Sequence, residues 1–359
     1  MKHIIYLKNY YKAYLKSYLK SYLKLSQNGG SSGEYLDIGI LNPTIGTSNL
    51  GDFIVHESVY KYLREVYPKD VFTNFPTQLY TSFDTKYIMS QKDLLFVAGT
   101  NLLASNLEKR MQWKISHSHR PFLKNKVVLF GCGWWQYQQA PNSYTAKIYQ
   151  SILNRELLHA VRDNYTAEKL HSIGIKNVIN TTCPTLWGLS PDRCRNVPIQ
   201  RKDKVITTLT SYNKDRADDL KMLELLSKSY DTVFLWMQSF EDIQYLNELK
   251  PKINNIKIIP PALEAFDAVL VQESVDYIGT RLHAGVRALQ NNIRTLILAV
   301  DNRAIEIGED TNLNVIRRDQ VEEISSFIRG EYVTNIKLPH ENILAFKNSL
   351  ANYKSAQLF

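Results

Sequence analysis

The chain has 359 residues, 44% hydrophobic and 22% charged, a balance that supports folded cores and excludes a largely disordered chain. Its formal charge of +9 suits acidic partners such as phosphorylated metabolites, anionic lipid or nucleic acid, without choosing among them. Three cysteines, Cys132, Cys183 and Cys194, lack CxxC or Cys/His ligand spacing, which argues for a reducing compartment and against a disulfide framework or a zinc site. No apolar run reaches the roughly 20 residues of a membrane-spanning helix. No signal-peptide core precedes a small-residue cleavage site, so a cytoplasmic location is expected.

The first segment is a four-residue repeat, with Tyr6, Tyr10, Tyr14, Tyr18 and Tyr22 alternating with Lys8, Lys12, Lys16, Lys20 and Lys24. A step of four overshoots one helical turn by about 40°, so the Tyr/Leu stripe winds slowly around a helix. The spacing predicts a basic amphipathic helix over 1–27, the composition of a segment lying on an anionic membrane surface; a solvated helix is the plainer alternative. Residues 28–34, including NGGSSG, read as a flexible linker.

Beyond it, short apolar runs alternate with helical spacing. Strands are expected at Leu36–Leu41, Val71–Phe75, Asp93–Ala98, Lys126–Phe130, Leu158–Arg162 and Asn177–Thr181, with a helix over Asp52–Val66. The stretch Leu189–Lys204, with two prolines, reads as a linker or crossing loop. The alternation then restarts, with strands at Val205–Thr210, Thr232–Met237, Ile256–Ile259, Asp276–Gly279, Thr295–Val300 and Asn314–Arg317. Helices are expected around Asp215–Ser229, Leu282–Asn291, Val321–Ile328 and Asn342–Tyr353. This is an α/β pattern of two Rossmann-like domains facing across a cleft: 35–190 and 205–335, joined by 191–204 and followed by a C-terminal helical segment, 336–359. Ligands of such sheets bind beyond the carboxyl ends of the strands.

One junction follows that rule closely. In VDYIGTRLHAGVRALQNN a strand ends at Gly279, Thr280 is the expected N-cap, and Arg281 and His283 fall in the first helical turn, where free N–H groups favour an anion. Leu282, Val286 and Leu289 share a burial face, while His283 and Arg287 share another. A guanidinium grips a phosphate or carboxylate at two points, and an imidazole beside it exchanges protons near neutrality. Capping or a surface ion pair is the bland reading for either residue alone. A second turn, NPTIGTSNLGD, follows the first strand; Gly46 and Gly51 permit close backbone approach, and Asn49 and Asp52 supply an amide and a carboxylate, although an ordinary helix cap looks the same.

The segment GTRLHAGVRAL, with TSNLGD early and AVRDNYTAEKLHSIGIKNV (Ala160–Val178) between, resembles the polysaccharide pyruvyl transferase family over Leu36 to about Val333. The resemblance implies two Rossmann-like domains of the GT-B type. It also implies transfer of pyruvate from phosphoenolpyruvate to two hydroxyls of one sugar, giving a cyclic ketal and phosphate. By the same resemblance Arg281 and His283 are the donor-binding pair, His283 serving either as a donor contact or in proton transfer, and the adjoining Thr280 and Leu282 are expected to be donor-binding with them. Asp52 is the expected base for an acceptor hydroxyl, with Asn49 and Gly51 shaping the acceptor pocket. Arg162 is expected to pair structurally with Asp163. The sequence departs from the family at Cys183-Pro184, where Asp-Pro is usual, and at Arg303, where a Lys commonly follows the strand after the RLH segment.

No cofactor and no metal are expected. The implied acceptor is a sugar or lipid-linked glycan of an envelope polysaccharide such as capsule or O-antigen. A GT-B glycosyltransferase using a nucleotide sugar and a non-catalytic membrane-associated binding protein are the competing readings. Nucleic acid is disfavoured, because the excess charge lies largely in the first helix and no reader motif is present.

Overall fold

The computed structural model describes residues 12–16, 35–109 and 112–358. Two all-parallel sheets of six strands carry the fold. The first contains β1 (Asp37–Asn42), β2 (Val71–Pro76), β3 (Leu94–Leu103), β4 (Val127–Trp134), β5 (His159–Val161) and β6 (Val178–Asn180), in spatial order β2-β1-β3-β4-β5-β6. The second contains β7 (Lys204–Thr208), β8 (Thr232–Trp236), β9 (Ile256–Ile259), β10 (Val275–Gly279), β11 (Thr295–Ala299) and β12 (Val315–Arg317), in order β12-β11-β10-β7-β8-β9. Each sheet has a topological switch, between β1 and β3 and between β7 and β10, where neighbouring crossovers run in opposite directions and leave a crevice.

All twelve expected strands form. The apolar runs mark them because helices cover both faces of a parallel sheet, and β3 and β4 are buried along their whole lengths. Both extend further than expected, β3 to Leu103 and β4 to Trp134, since polar Asn101 and the glycines of FGCGW interrupt the apolar signal without ending the pairing. Helix Leu50–Val66 follows β1; Asn49 caps it, Ile54, Val55, Val59 and Leu63 bury its inner face, and Arg64 complements the dipole in its last turn.

Three expectations change. The stretch Leu189–Lys204 is not all loop: Ser190 caps a short helix, Pro191–Arg195, and Cys194 and Val197 are buried in the core. Thr280 is not the N-cap of its helix; Arg281 holds that position without a side-chain cap bond. The C-terminal helix runs from His340 to Leu358 and crosses back to the first sheet, where Phe346 packs 4.8 Å from the Phe130 ring and the Tyr67 hydroxyl donates to the Leu350 carbonyl at 3.3 Å.

Of the expected N-terminal helix, residues 12–16 are helical, and Tyr14 meets Phe83 edge-on at 5.2 Å. The rest of 1–27, and the 28–34 linker, lie outside the described residues. Among the described residues no helix is long and apolar enough to cross a membrane.

Candidate active site

The loops at the two switch points face each other across a cleft of about 760 Å³. The first half contributes Asp52, Gln78 and Asn101, and the second contributes Tyr212, Asp301 and Arg303. Backbone and side-chain contacts close its margins: Leu50 N–H donates to the Gln238 carbonyl at 3.0 Å, and the Tyr137 hydroxyl donates to Glu306 at 2.6 Å.

After β10 the chain turns inward. The Thr280 hydroxyl donates to the Thr208 carbonyl at 3.0 Å and lies 2.8 Å from Thr210 Oγ1, so a contact with the exit of β7 replaces the expected cap. Arg281 is 4% exposed; its Nη2 donates to both oxygens of Asp242, at 2.5 and 2.7 Å, and its Nε to the Leu209 carbonyl at 2.9 Å. Leu282 buries its side chain in the core. His283 is also buried, with Nε2 3.8 Å from Cys183 Sγ. One turn on, Arg287 forks Asp267 at 2.5 and 2.6 Å and reaches Glu57 of the first half at 2.7 Å.

Two further arginines lie close by, and of the three Arg303 lines the cleft while Arg162 and Arg281 are buried behind it. Arg162 pairs through Nε with Asp163 at 3.1 Å, as expected, and donates through Nη2 to Asn101. Gly133 carries no Cβ because one there would overlap the Arg162 guanidinium, so the glycine lets that group lie against β4. Arg303 donates through Nη2 to Asp301 at 2.8 Å and to the Tyr212 hydroxyl at 2.6 Å. Among the described residues no partner meets Nη1 of Arg162, Arg281 or Arg303, so three guanidiniums each keep an unused donor group.

The electrostatics follow from burial and these cations. Burial pushes Asp301 upward, but Arg303, Arg162 and Tyr212 outweigh it and hold the carboxyl below its usual range. Burial likewise lowers His283 well below the ordinary imidazole value, and Arg303 and Arg162 act in the same sense, so the ring is neutral at physiological pH. Asp52 is 8% exposed, and burial raises it to about 6 against the pull of Arg303, Gln78, Thr47 and Asn49. It lies ionised at neutral pH but within reach of a proton, the condition that general-base work requires.

Around Asp52 the first-half turn is organised chiefly as a cap. Asn49 Oδ1 accepts from Gly51 N–H at 3.2 Å and from Gln238 Nε2 at 2.7 Å, so that atom is occupied by helix and interdomain bonds although Asn49 still lines the cleft. Gly51 sits in the first helical turn, packed against Gln238. Gln78 Nε2 reaches Asp52 Oδ2 at 3.4 Å.

The sequence reading missed Tyr212, Asp301, Gln78 and Asn101, which come from four separate segments, Asn101 from within β3. It also missed two strained threonines: Thr100 and Thr182 have φ of 65° and 55°, and both hydroxyls are buried without a partner. A β-branched residue in the left-handed region is disfavoured, and such strain gathers at ligand sites. The FGCGWW run was the available signal, since glycines so close together mark a crowded backbone. Among the described residues no cluster of His, Cys, Asp and Glu could hold a metal ion.

Comparison with known proteins agrees with this architecture. The chain is similar in shape to a putative UDP-N-acetylglucosamine 2-epimerase from Listeria monocytogenes, at 10% identity over 90% of this chain and 96% of that one, with a TM-score of 0.53. It is also similar to a UDP-GlcNAc 2-epimerase from Neisseria meningitidis bound to UDP-GlcNAc, at 12% identity over 89% and 98% of the two chains, with a TM-score of 0.42. A lipopolysaccharide outer core galactosyltransferase gives 10% identity, 89% and 99% coverage and a TM-score of 0.38. No curated protein matches in sequence. At these identities the likeness concerns the fold alone, two parallel-sheet Rossmann-like halves. A profile described as polysaccharide pyruvyl transferase matches residues 49–302, more than two thirds of the chain and a span that takes in both the Asn49–Asp52 turn and the RLH junction. The chain therefore belongs to the polysaccharide pyruvyl transferase family.

Proposed function

We propose that this protein transfers pyruvate from phosphoenolpyruvate to two hydroxyls of a sugar in an envelope polysaccharide or its precursor, forming a cyclic ketal and releasing phosphate. The observation that carries the reading is the set of three guanidiniums, each with an unused Nη1, beside a neutral imidazole. Phosphoenolpyruvate brings a carboxylate and a phosphate, and unpaired guanidinium donors in a partly dry cleft suit both.

In this reading the donor's methylene carbon gains a proton and its C2 becomes electrophilic. One sugar hydroxyl forms the first C–O bond there, the phosphate C–O bond breaks, and the second hydroxyl closes the ring. The two hydroxyl protons end on the new methyl group and on the phosphate. Asp52, ionised above about pH 6, takes a proton from an acceptor hydroxyl, and Arg281 and Arg303 hold the phosphate charge as it develops.

Supporting the acceptor assignment is the family membership; supporting a membrane setting is the basic, tyrosine-studded segment 1–27, which would hold the enzyme at an anionic inner membrane face beside a lipid-linked glycan. Deleting residues 1–27 should then shift the protein from the membrane to the soluble fraction, whereas unchanged partitioning removes the anchor from the account.

A phosphate-release assay with phosphoenolpyruvate and a panel of lipid-linked sugars tests the reaction. Release should require both substrates and should collapse in Arg281→Ala and His283→Ala. Wild-type rates in both variants would show the site to be misassigned. Stabilisation by a nucleoside diphosphate and not by phosphoenolpyruvate would turn the reading to a glycosyltransferase.

A further inference from the structure

Cys183 and His283 come from opposite halves of the molecule. Cys183 follows β6 and precedes Pro184; His283 opens the helix after β10. They meet with Sγ 3.8 Å from Nε2, and the Thr185 hydroxyl donates to the same sulfur at 3.2 Å. Both side chains are buried, at 2% and 5% exposure.

The charged groups facing the ring are Arg303 and Asp301 at the start of helix Asn302–Thr311, and Arg162 at the end of β5. Burial first, then the two arginines, disfavour an imidazolium, and only Asp301 opposes them. Burial also pushes the Cys183 thiol upward, so the contact is between a thiol and a neutral imidazole, not a thiolate and an imidazolium. In a neutral pair one partner donates and the other accepts. With Thr185 donating to the sulfur, the arrangement that uses every donor of the chain points the S–H at Nε2. A ring that accepts at Nε2 carries its own proton on Nδ1. Among the described residues Nδ1 has no partner and keeps a small exposed surface, so its N–H is free to donate.

We propose that Cys183 is a positioning residue: with Thr185 behind it, its thiol fixes His283 as the Nδ1–H tautomer, which makes the imidazole a hydrogen-bond donor to an anionic ligand and not the base that removes a hydroxyl proton. The tautomer stands on the Thr185–Cys183–His283 chain alone; the ligand's being phosphoenolpyruvate rests on the reaction proposed above. The two together leave proton removal to Asp52. A carboxylate in place of the thiol would reverse the order, drawing the proton to Nε2 and favouring the cation.

The test is a long-range proton–nitrogen correlation spectrum of the full chain labelled with ¹⁵N-histidine, with the His283 signals identified by their loss in His283→Gln. The wild type should show a protonated Nδ1 and a bare Nε2 that hold from about pH 8 to about pH 6. Cys183→Ser should keep that tautomer, Cys183→Ala should mix the two, and Cys183→Asp should move the proton to Nε2 and bring the ring's titration up toward neutrality. A wild-type spectrum with Nε2 protonated overturns the proposal, as does a tautomer that Cys183→Ala leaves untouched. In the phosphate-release assay Cys183→Asp should lose about tenfold or more in kcat and gain a pH limb that the serine variant lacks. A wild type that shows the expected tautomer but releases no phosphate from phosphoenolpyruvate refutes the reaction and leaves the role of Cys183 standing.

Discussion

Arg162 and Arg294 are both 1% exposed, yet they do opposite things with the same side chain. Arg294 lies at the amino end of the second sheet, and all of its nitrogens are engaged: Nε with the Ile199 carbonyl at 3.1 Å, Nη1 with Asp276 at 3.2 Å, and Nη2 with the Phe327 and Gly330 carbonyls. Its guanidinium also covers the Phe327 ring at 3.8 Å. Arg162 lies at the carboxyl end of the first sheet with Nη1 buried and unpartnered. A buried cation that satisfies every donor is a clamp. One that leaves a donor open carries a desolvation cost that a ligand or an ordered water must offset, and here the open donors gather where the strands end.

Breaking the clamp should give the largest effect. Arg294→Ala strands the Asp276 carboxylate, which is fully buried, and should cost about 3–5 kcal/mol in chemical denaturation. The cleft arginine should show the reverse signature: Arg303→Met should lower phosphoenolpyruvate-dependent phosphate release by about 10²–10³-fold, roughly 2.7–4 kcal/mol, with a smaller loss of stability than Arg294→Ala in the same denaturation series.

Asp52 sharpens the contrast. Because the folded chain binds its proton more tightly than the unfolded chain does, ionised Asp52 opposes folding. Protonation stabilises the fold fully below about pH 4, and that contribution is lost as pH rises through about 6. Asp52→Asn should therefore raise neutral-pH stability by on the order of 2 kcal/mol while abolishing the rise in kcat/KM near pH 6, and the stability gain should vanish below about pH 4. The smallest effect belongs to a rim contact: Lys354→Met should cost about 1 kcal/mol by calorimetry, because Asp70 keeps the Leu36 N–H at 2.9 Å when the ammonium at 2.5 Å is gone.

The strands were legible because a sheet covered on both faces writes itself as apolar runs, and the RLH junction was legible because a strand end and a helix start are local events. What sequence reading could not supply was direction. Arg281 faces Asp242, a capping-box residue of helix Phe240–Leu249, and nothing in either segment signals the other. Thr280 has the chemistry of a cap, but the neighbouring exit of β7 offers Thr208 and Thr210 and wins its hydroxyl. Gln78 sits in a loop and Tyr212 in a single 3-10 turn, Ser211–Asn213, both too short for periodicity. Arg303 alone had a foothold, as the nearest basic residue after the strand following the RLH segment.

The return of helix His340–Leu358 to the first sheet bears on how the molecule is made. Phe130, Trp187 and Tyr67 find their covering partners, Phe346 and Leu350, only in a segment that leaves the ribosome after the entire second half. The amino-terminal half must therefore wait with part of its apolar surface uncovered while the carboxyl-terminal half is synthesised. A nonsense change near residue 340 would injure the half of the protein that was translated first.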